Sequence, residues 1–216
     1  IIIPNSVTNV GVYAFGWCSR LTSITLPNSV MNIGGWAFCG CSGLTSIIIP
    51  SSITSIGGRI FDGCSGLASI TLPNSVTNIG AEAFWGCSGL TSITLPNSVT
   101  NIGVHAFCGC SRLTSITLPN SVTNIGAYAF WKCSGLTSIT IPSSVTSIGT
   151  SAFMECSELT NVYYEGSETK WKEIKSISHT SGYMTVLSDW RNELENVKIH
   201  YNSSASLSTK KFSLKV

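Results

Sequence analysis

Charge is scarce in this 216-residue chain: twelve Lys and Arg and ten Asp and Glu make up 10% of it, for a net charge of +2. The basic residues do not cluster, so no stripe follows a phosphate backbone, and nucleic acid is not the expected partner. Long apolar runs are missing too. None approaches the ~20 residues of a membrane-spanning helix, so no membrane span is expected. The chemistry of catalysis is equally thin. The three histidines are His105, His179 and His200, none with a Ser or Cys nucleophile or a spaced carboxylate pair that would make a reactive constellation. No glycine cluster sits between a strand and a helix of normal length as a phosphate loop would. These absences argue against an enzyme and imply no cofactor and no metal site. An initiating methionine is also lacking, and Ile1 falls in the middle of a strand. The chain therefore reads as truncated at its N-terminus, with any leader or earlier coils removed.

What is present is repetition. Leucine recurs every 23 residues, at Leu21, Leu44, Leu67, Leu90, Leu113, Leu136 and Leu159. Proline keeps the same period from Pro4 to Pro142, glycine from Gly11 to Gly149, phenylalanine from Phe15 to Phe153 and cysteine from Cys18 to Cys156. A fixed period of this size means a solenoid, because one unit is too small to bury its apolar face except against its neighbours. Hydrophobic residues make up 43% of the chain, ample for such a core. Solubility must then come from Ser, Thr and Asn.

The path of one coil follows from the copy that begins at Leu90. Ile93 and Leu95 alternate with Ser92 and Thr94, the period-two pattern of a strand with one buried face. Pro96 has no N–H for a ladder and ends the strand. Val99 and Ile102 return to the interior along an extended segment, and Gly103 turns the chain. Ala106, Phe107 and Cys110 then lie on one face of a short helical or 3₁₀ turn, with His105, Cys108 and Gly109 opposite. The expectation is a right-handed repeat solenoid with one parallel strand per coil, the short turns and extended segments lying opposite.

The copy L-T-S-I-T-L-P-N-S-V-T-N-I-G-x-x-A-F-x-x-C-S-x resembles the leucine-rich repeat of the BspA-like (Treponema-type) surface proteins. The resemblance covers residues 1 to about 164. It departs from the general leucine-rich pattern in that only three residues separate Leu95 from Val99, and Ser98 stands near the place of the usual buried asparagine. The resemblance implies a leucine-rich repeat fold and a non-catalytic module at the cell surface or outside the cell. It also implies a host protein, matrix protein or glycan as partner.

Composition changes near Leu159, with eight charged residues before it and fourteen after. Residues 1–158 read as the solenoid of about seven coils. Residues 159–201 read as its last strand and an α+β cap. In the cap, Ser167 is expected to N-cap a helix carrying Trp171 and Ile174, a second helix is expected near Asp189 to Glu195, and Val197 to Tyr201 alternates like a strand that closes the open sheet edge. The segment Y-Y-E-G-S-x-x-x-W-x-x-I resembles the terminal module that follows such repeats. Residues 202–216 read as a tail or the start of a following domain.

Seven of the nine cysteines share one repeat position, where they are expected to stack as small buried hydrophobes. Cys39 and Cys108 are the two extras, three coils apart, and no four-sulfur zinc site is expected from them. What remains is surface. One outward column reads Tyr13, Trp36, Arg59, Glu82, His105, Tyr128, Ser151, and the next reads Gly16, Cys39, Asp62, Trp85, Cys108, Trp131, Met154. Trp36, Trp85, Tyr128 and Trp131 are the candidate ligand contacts on this wall, unless they only shield the core. His105 is expected to be a solvated surface residue. The alternative contact surface is the hydroxyl ladder of the strand face, represented by Ser92, Thr94, Ser115 and Thr117. Three functions remain open: a binding or adhesion module, a spacer displaying another domain, and ice or crystal binding by the Ser-x-Thr ladder. A last expectation concerns Asn97 and Asn101, whose covariation across copies means either a contact across the turn or duplication of two repeat subtypes.

Overall fold

Three walls line the solenoid, each traceable to one segment of the repeat; strand pairing divides the first between Thr94 and Ser115 and the second between Ile33 and Ser55. The computed structural model describes residues 1–202 apart from Gly182, Tyr183, Leu187 and Ser188. The tail expected at 202–216 therefore lies, beyond Asn202, outside the described residues.

The first wall is the strand of the Leu-x-Ser-Ile-Thr segment, at Ser23–Thr25, Ser46–Ile48, Ser69–Thr71, Ser92–Thr94, Ser115–Thr117, Ser138–Ile141 and Asn161–Tyr164. Pairing is parallel and in register by one repeat, as in Ser69↔Ser92, Ile70↔Ile93 and Thr71↔Thr94. The central isoleucine is buried and its flanking residues are exposed in the coils from Ser23 to Thr117, all of them hydroxyl residues except Ile48. Pro96 ends the strand and its carbonyl accepts from the Val99 N–H at 3.0 Å, closing a tight turn.

The extended segment opposite was not expected to pair. It forms a second wall of short parallel strands such as Asn78–Ile79, Asn101–Ile102 and Asn124–Ile125. Gly103 stops each strand because the coils touch there. A Cβ on Gly103 would lie 2.6 Å from the Gly80 carbonyl carbon and 2.7 Å from the Ala81 nitrogen.

The third wall replaces the expected helical turn. Within a coil, the N–H groups of Ala106, Cys108 and Cys110 donate to the carbonyls of Gly103, His105 and Phe107 at 3.1–3.2 Å, making successive tight turns. The alternate N–H groups, of His105, Phe107 and Gly109, donate instead to Ala127, Ala129 and Trp131 of the next coil at 2.7–2.9 Å. A helix would use every N–H inside its own coil. Left-handed φ at His105 (55°) and Gly109 (73°) turns half of them along the solenoid axis. The inward set is nevertheless the expected one, since Ala106, Phe107 and Cys110 are fully buried.

Inside, the phenylalanines from Phe15 to Phe153 stack with centroids 5.3–5.8 Å apart. Burial of one such ring contributes about 1.5–3 kcal/mol. Ser98 donates to the Val76 carbonyl at 2.5 Å and Ser75 to Ile53 at 2.6 Å, so a serine ladder stands where the general repeat carries asparagine.

The cap finishes all three walls. Lys198–Tyr201 pairs in parallel with Asn161–Tyr164 and closes the first. Lys175–Ile177 pairs with Ser147–Gly149 and extends the second. The third ends on a side chain, where Glu193 Oε2 accepts from the Phe153 N–H at 2.9 Å. Helix Glu168–Glu173 starts at Ser167, whose hydroxyl accepts from the Lys170 N–H, and buries Trp171 and Ile174. A 3₁₀ helix, Trp190–Leu194, follows N-cap Asp189.

Candidate functional site

The third wall carries the side chains that vary most between copies. Its first outward column holds left-handed backbone at Tyr13, Trp36, Arg59, Glu82, His105, Tyr128 and Ser151, with φ of 55–58°. Non-glycine residues are uncommon in that region and are strained by about 1–2 kcal/mol each. The turn nevertheless repeats with large residues in it, because the inter-coil hydrogen bonds of the wall hold the backbone there.

The side chains of this wall form one continuous band. Tyr13 stacks on Trp36 at 5.4 Å. The Arg59 guanidinium lies 5.8 Å from the Trp36 ring and 5.5 Å from Trp85, bridging the two. Trp85 stacks on His105 at 5.2 Å, and His105 on Tyr128 at 4.8 Å with planes 5° apart. Trp131 packs tilted against both His105 and Tyr128, at 6.0 and 5.7 Å. The band changes column on the way: Trp85 from the second column fills the gap where Glu82 occupies the first. So the structure brings Trp36, Trp85, Tyr128 and Trp131 into one band, each half-buried. Sequence reasoning missed its linking members, Arg59 and His105. His105 is not the solvated residue expected; it is half-buried between two rings.

Charges on the band are paired. Arg59 contacts Glu82 at 2.5 Å and Asp62 at 3.9 Å. Burial raises the Asp62 carboxyl above the usual range, with Arg59 opposing and Glu82 adding to the rise. Trp131 Nε1 donates to Glu155 Oε1 at 3.0 Å, while Lys132 lies 4.0 Å from the other Glu155 oxygen and 4.6 Å from the Trp131 ring.

The alternative surface is built differently. Ser92, Thr94, Ser115 and Thr117 are exposed side by side on the first wall and, with Asn97, line a shallow cleft of about 300 Å³. Ile48 interrupts the hydroxyl rows and is 68% exposed. Towards the cap the same face carries Tyr163 stacked on His200 at 4.7 Å, and His200 Nε2 meets Asn161 Oδ1 at 2.8 Å.

The thiols from Cys39 to Cys133 behave as core, whereas Cys18, in the first coil, is exposed and not buried as its column was expected to be. Cys64, Cys87, Cys110 and Cys133 are fully buried and each donates to the carbonyl of the phenylalanine 26 residues earlier at 3.1–3.3 Å. Burial pushes them well above the ordinary thiol range, Cys41 to about 11 and Cys156 to about 12. A protonated, buried thiol is a poor nucleophile and metal ligand. Cys39 and Cys108, expected on the outer face, are also buried, at 5% and 2% exposure. They are short side chains beside Arg59 and Asp62 in one case and Lys132 in the other, in a column where Trp85 and Trp131 reach outward. Among the described residues no cluster of His, Cys, Asp and Glu could hold a metal ion, and no helix is long and apolar enough to cross a membrane.

Comparison with known proteins fits this geometry. The sequence family described as "BspA type Leucine rich repeat region" matches in six copies across residues 1–103 and 77–188. Among solved structures, the chain is similar to a leucine rich cell surface protein of Faecalibacterium prausnitzii, with 34% identity and a TM-score of 0.62. The match covers 79% of this chain, which spans 55% of that protein. It is also similar to the leucine rich repeat protein of T. pallidum, with 33% identity over 74% of this chain and 77% of the other, and a TM-score of 0.68. A Bacteroides ovatus leucine-rich repeat protein, 24% identical with a TM-score of 0.51, shares the fold. No curated protein matches the sequence. With the repeat register, the walls and these relatives in agreement, the chain belongs to the BspA-type leucine-rich repeat family.

Proposed function

We propose that this chain is a non-catalytic binding module of a cell-surface or secreted protein, and that its ligand contacts the aromatic band through Trp36, Trp85, Tyr128 and Trp131. The band carries the proposal: aromatic rings and arginine held rigidly and half-exposed along one wall have the composition of interface hot spots. The surface location is supported by the F. prausnitzii relative, described as a cell surface protein. A host or matrix protein or glycan is the partner class, and the adhesive role follows from it. The test compares two double variants in the same binding assay against matrix proteins, host cells and glycans. Trp85→Ser with Trp131→Ser should weaken binding at least about tenfold, a loss of roughly 1.4 kcal/mol, with the solenoid still folded. Ser92→Ala with Thr94→Ala should leave it unchanged.

The strand face is the second reading, favoured by the cleft lined by Ser92, Thr94, Asn97, Ser115 and Thr117. The reverse result in the same assay would move the site there. Loss of folding in the tryptophan variant would make the band a shield for the core, and the chain a spacer.

A further inference from the structure

The rings of the band stack along the solenoid axis, so they cover one another's faces. Trp36 lies between Tyr13 and the Arg59 guanidinium. Trp85 lies between that guanidinium and His105. His105 lies between Trp85 and Tyr128. Trp131 is tilted against His105 and Tyr128 and carries the Lys132 ammonium at 4.6 Å. Trp36, Trp85 and His105, covered on both faces, offer edges to solvent, and edges carry the positive end of the ring quadrupole; Tyr13 and Tyr128 are stacked on one face only.

This geometry separates two kinds of ligand. A pyranose binds an aromatic platform by laying its C–H face on a ring face, and Trp36 and Trp85 have both faces occupied. A protein surface has no such need, because ring edges meet backbone and side-chain oxygens as well as aliphatic groups. The charges point the same way. Arg59 is held by Glu82 and Asp62 and Lys132 by Glu155, so the band's cations are matched by carboxylates on the same wall. Two cations against three carboxylates leave no free cation to recruit an acidic partner, so the complementary surface is one without strong charge. Between Tyr13 and Tyr128 the band crosses five coil steps, about 24 Å at the strand spacing. A standard protein interface of about 800 Å² per partner is roughly 30 Å across, so one partner can cover most of it.

We propose that the band is an edge-on docking ridge for a neutral protein surface and that it does not bind glycans by ring stacking. The proposal rests on the functional reading above, since it presumes that the band is the contact surface. It implies that affinity depends little on salt and not at all on the partner's sugars.

The experiment uses the full chain against a panel of purified extracellular-matrix glycoproteins, each intact and after enzymatic removal of its N- and O-linked glycans. Chitohexaose and cellohexaose serve as soluble competitors. The expected result is Trp85- and Trp131-dependent binding that changes less than about twofold on deglycosylation, on addition of either oligosaccharide, and between low and high salt. His105→Ala, which uncovers one face each of Trp85 and Tyr128, should weaken protein binding by loosening the ridge. Binding that disappears on deglycosylation, is competed by an oligosaccharide, or is strengthened towards oligosaccharide by His105→Ala would overturn the edge-on proposal and leave the band as the site. Binding that ignores the tryptophan variants, or a panel in which nothing binds, would overturn both.

Discussion

The Trp190 ring stands edge-on to Phe153, with centroids 6.5 Å apart and planes at 69°, and so ends the phenylalanine stack. A stack of parallel rings has no natural end: the last ring offers a bare face. Trp190 covers that face from the cap and is itself packed at 5.0 Å and 89° against Trp171, and it is fully buried. Its indole N–H meets no acceptor among the described residues, so it contributes through packing and through its ring face, over which the Arg191 guanidinium lies at 4.6 Å.

Trp190→Ala should therefore cost about 3–5 kcal/mol, the range for removing a buried aromatic ring. Trp190→Phe, which keeps a ring and removes the unpartnered N–H, should cost much less. Phe84→Ala or Phe107→Ala, in mid-stack, belongs in the same 3–5 kcal/mol range. Urea denaturation of the variants side by side checks this. A loss below about 1 kcal/mol in Phe84→Ala would contradict a buried stack.

The cap also brings a titratable group. Glu193 accepts from the Phe153 N–H, but burial outweighs this and its contacts with Ser151, raising the carboxyl above its ordinary value. A raised carboxyl pKa means that the folded state holds the proton more tightly than the unfolded chain. Its contribution to stability is then fully present below the unfolded value and is lost as pH rises through the folded one. Asp62 shifts in the same direction, so the measurement must be a difference. The stability of wild type minus that of Glu193→Gln should fall as pH is raised from about 4 towards 7. A flat difference would show that Glu193 titrates normally.

How much of this was legible depends on what a repeat reveals. The period, the inward Leu, Ile, Phe and Cys columns and the closing strand at Lys198–Tyr201 follow from spacing alone, because only one face of each segment is apolar. The third wall does not. Inward residues at Ala106, Phe107 and Cys110 suit a helical turn and a run of tight turns equally, and the deciding feature is the left-handed φ at His105, where sequence gives no glycine. Column reasoning also hid the band, which passes from Arg59 to Trp85 across two columns. For Asn97 and Asn101 it left a contact or duplicated repeat subtypes open, and the structure shows no hydrogen-bonded contact between them. Asn101 donates to Asn78 at 2.8 Å and accepts from Asn124 at 2.7 Å, while Asn97 is exposed and takes no part. The partners lie in neighbouring coils, and the matching Ser55 and Ser147 end the run at Asn78 and Asn124.

Double-mutant cycles should therefore couple Asn101 to Asn78 and Asn124 by about 0.5–1.5 kcal/mol, the worth of a side-chain hydrogen bond. The cycle of Asn97 with Asn101 should be additive within about 0.5 kcal/mol. Coupling only in the latter pair would contradict the ladder.

Two glycines of one coil separate strain from space. Gly109 has φ of +73°, yet a Cβ there would meet only the Gly86 backbone at an ordinary 3.6 Å. Its column admits Trp17, Lys132 and Glu155 at φ of 59–62°. Gly109→Ala should thus cost only about 1–2 kcal/mol, the strain of a left-handed residue, and Lys132→Gly should recover part of that strain, less the added freedom of the unfolded chain. Gly103 lacks a positive φ, but its Cβ would press on backbone atoms of the preceding coil at 2.6–2.7 Å. Backbone cannot move aside as a side chain can, so Gly103→Ala must push two coils apart. That breaks the second wall's bonds to Gly80 and Ala81's coil, and the loss should clearly exceed that of Gly109→Ala. Thermal melts of the two variants decide the point. Equal losses would mean that the coils are not in contact at Gly103 and that the glycine column serves conformation alone.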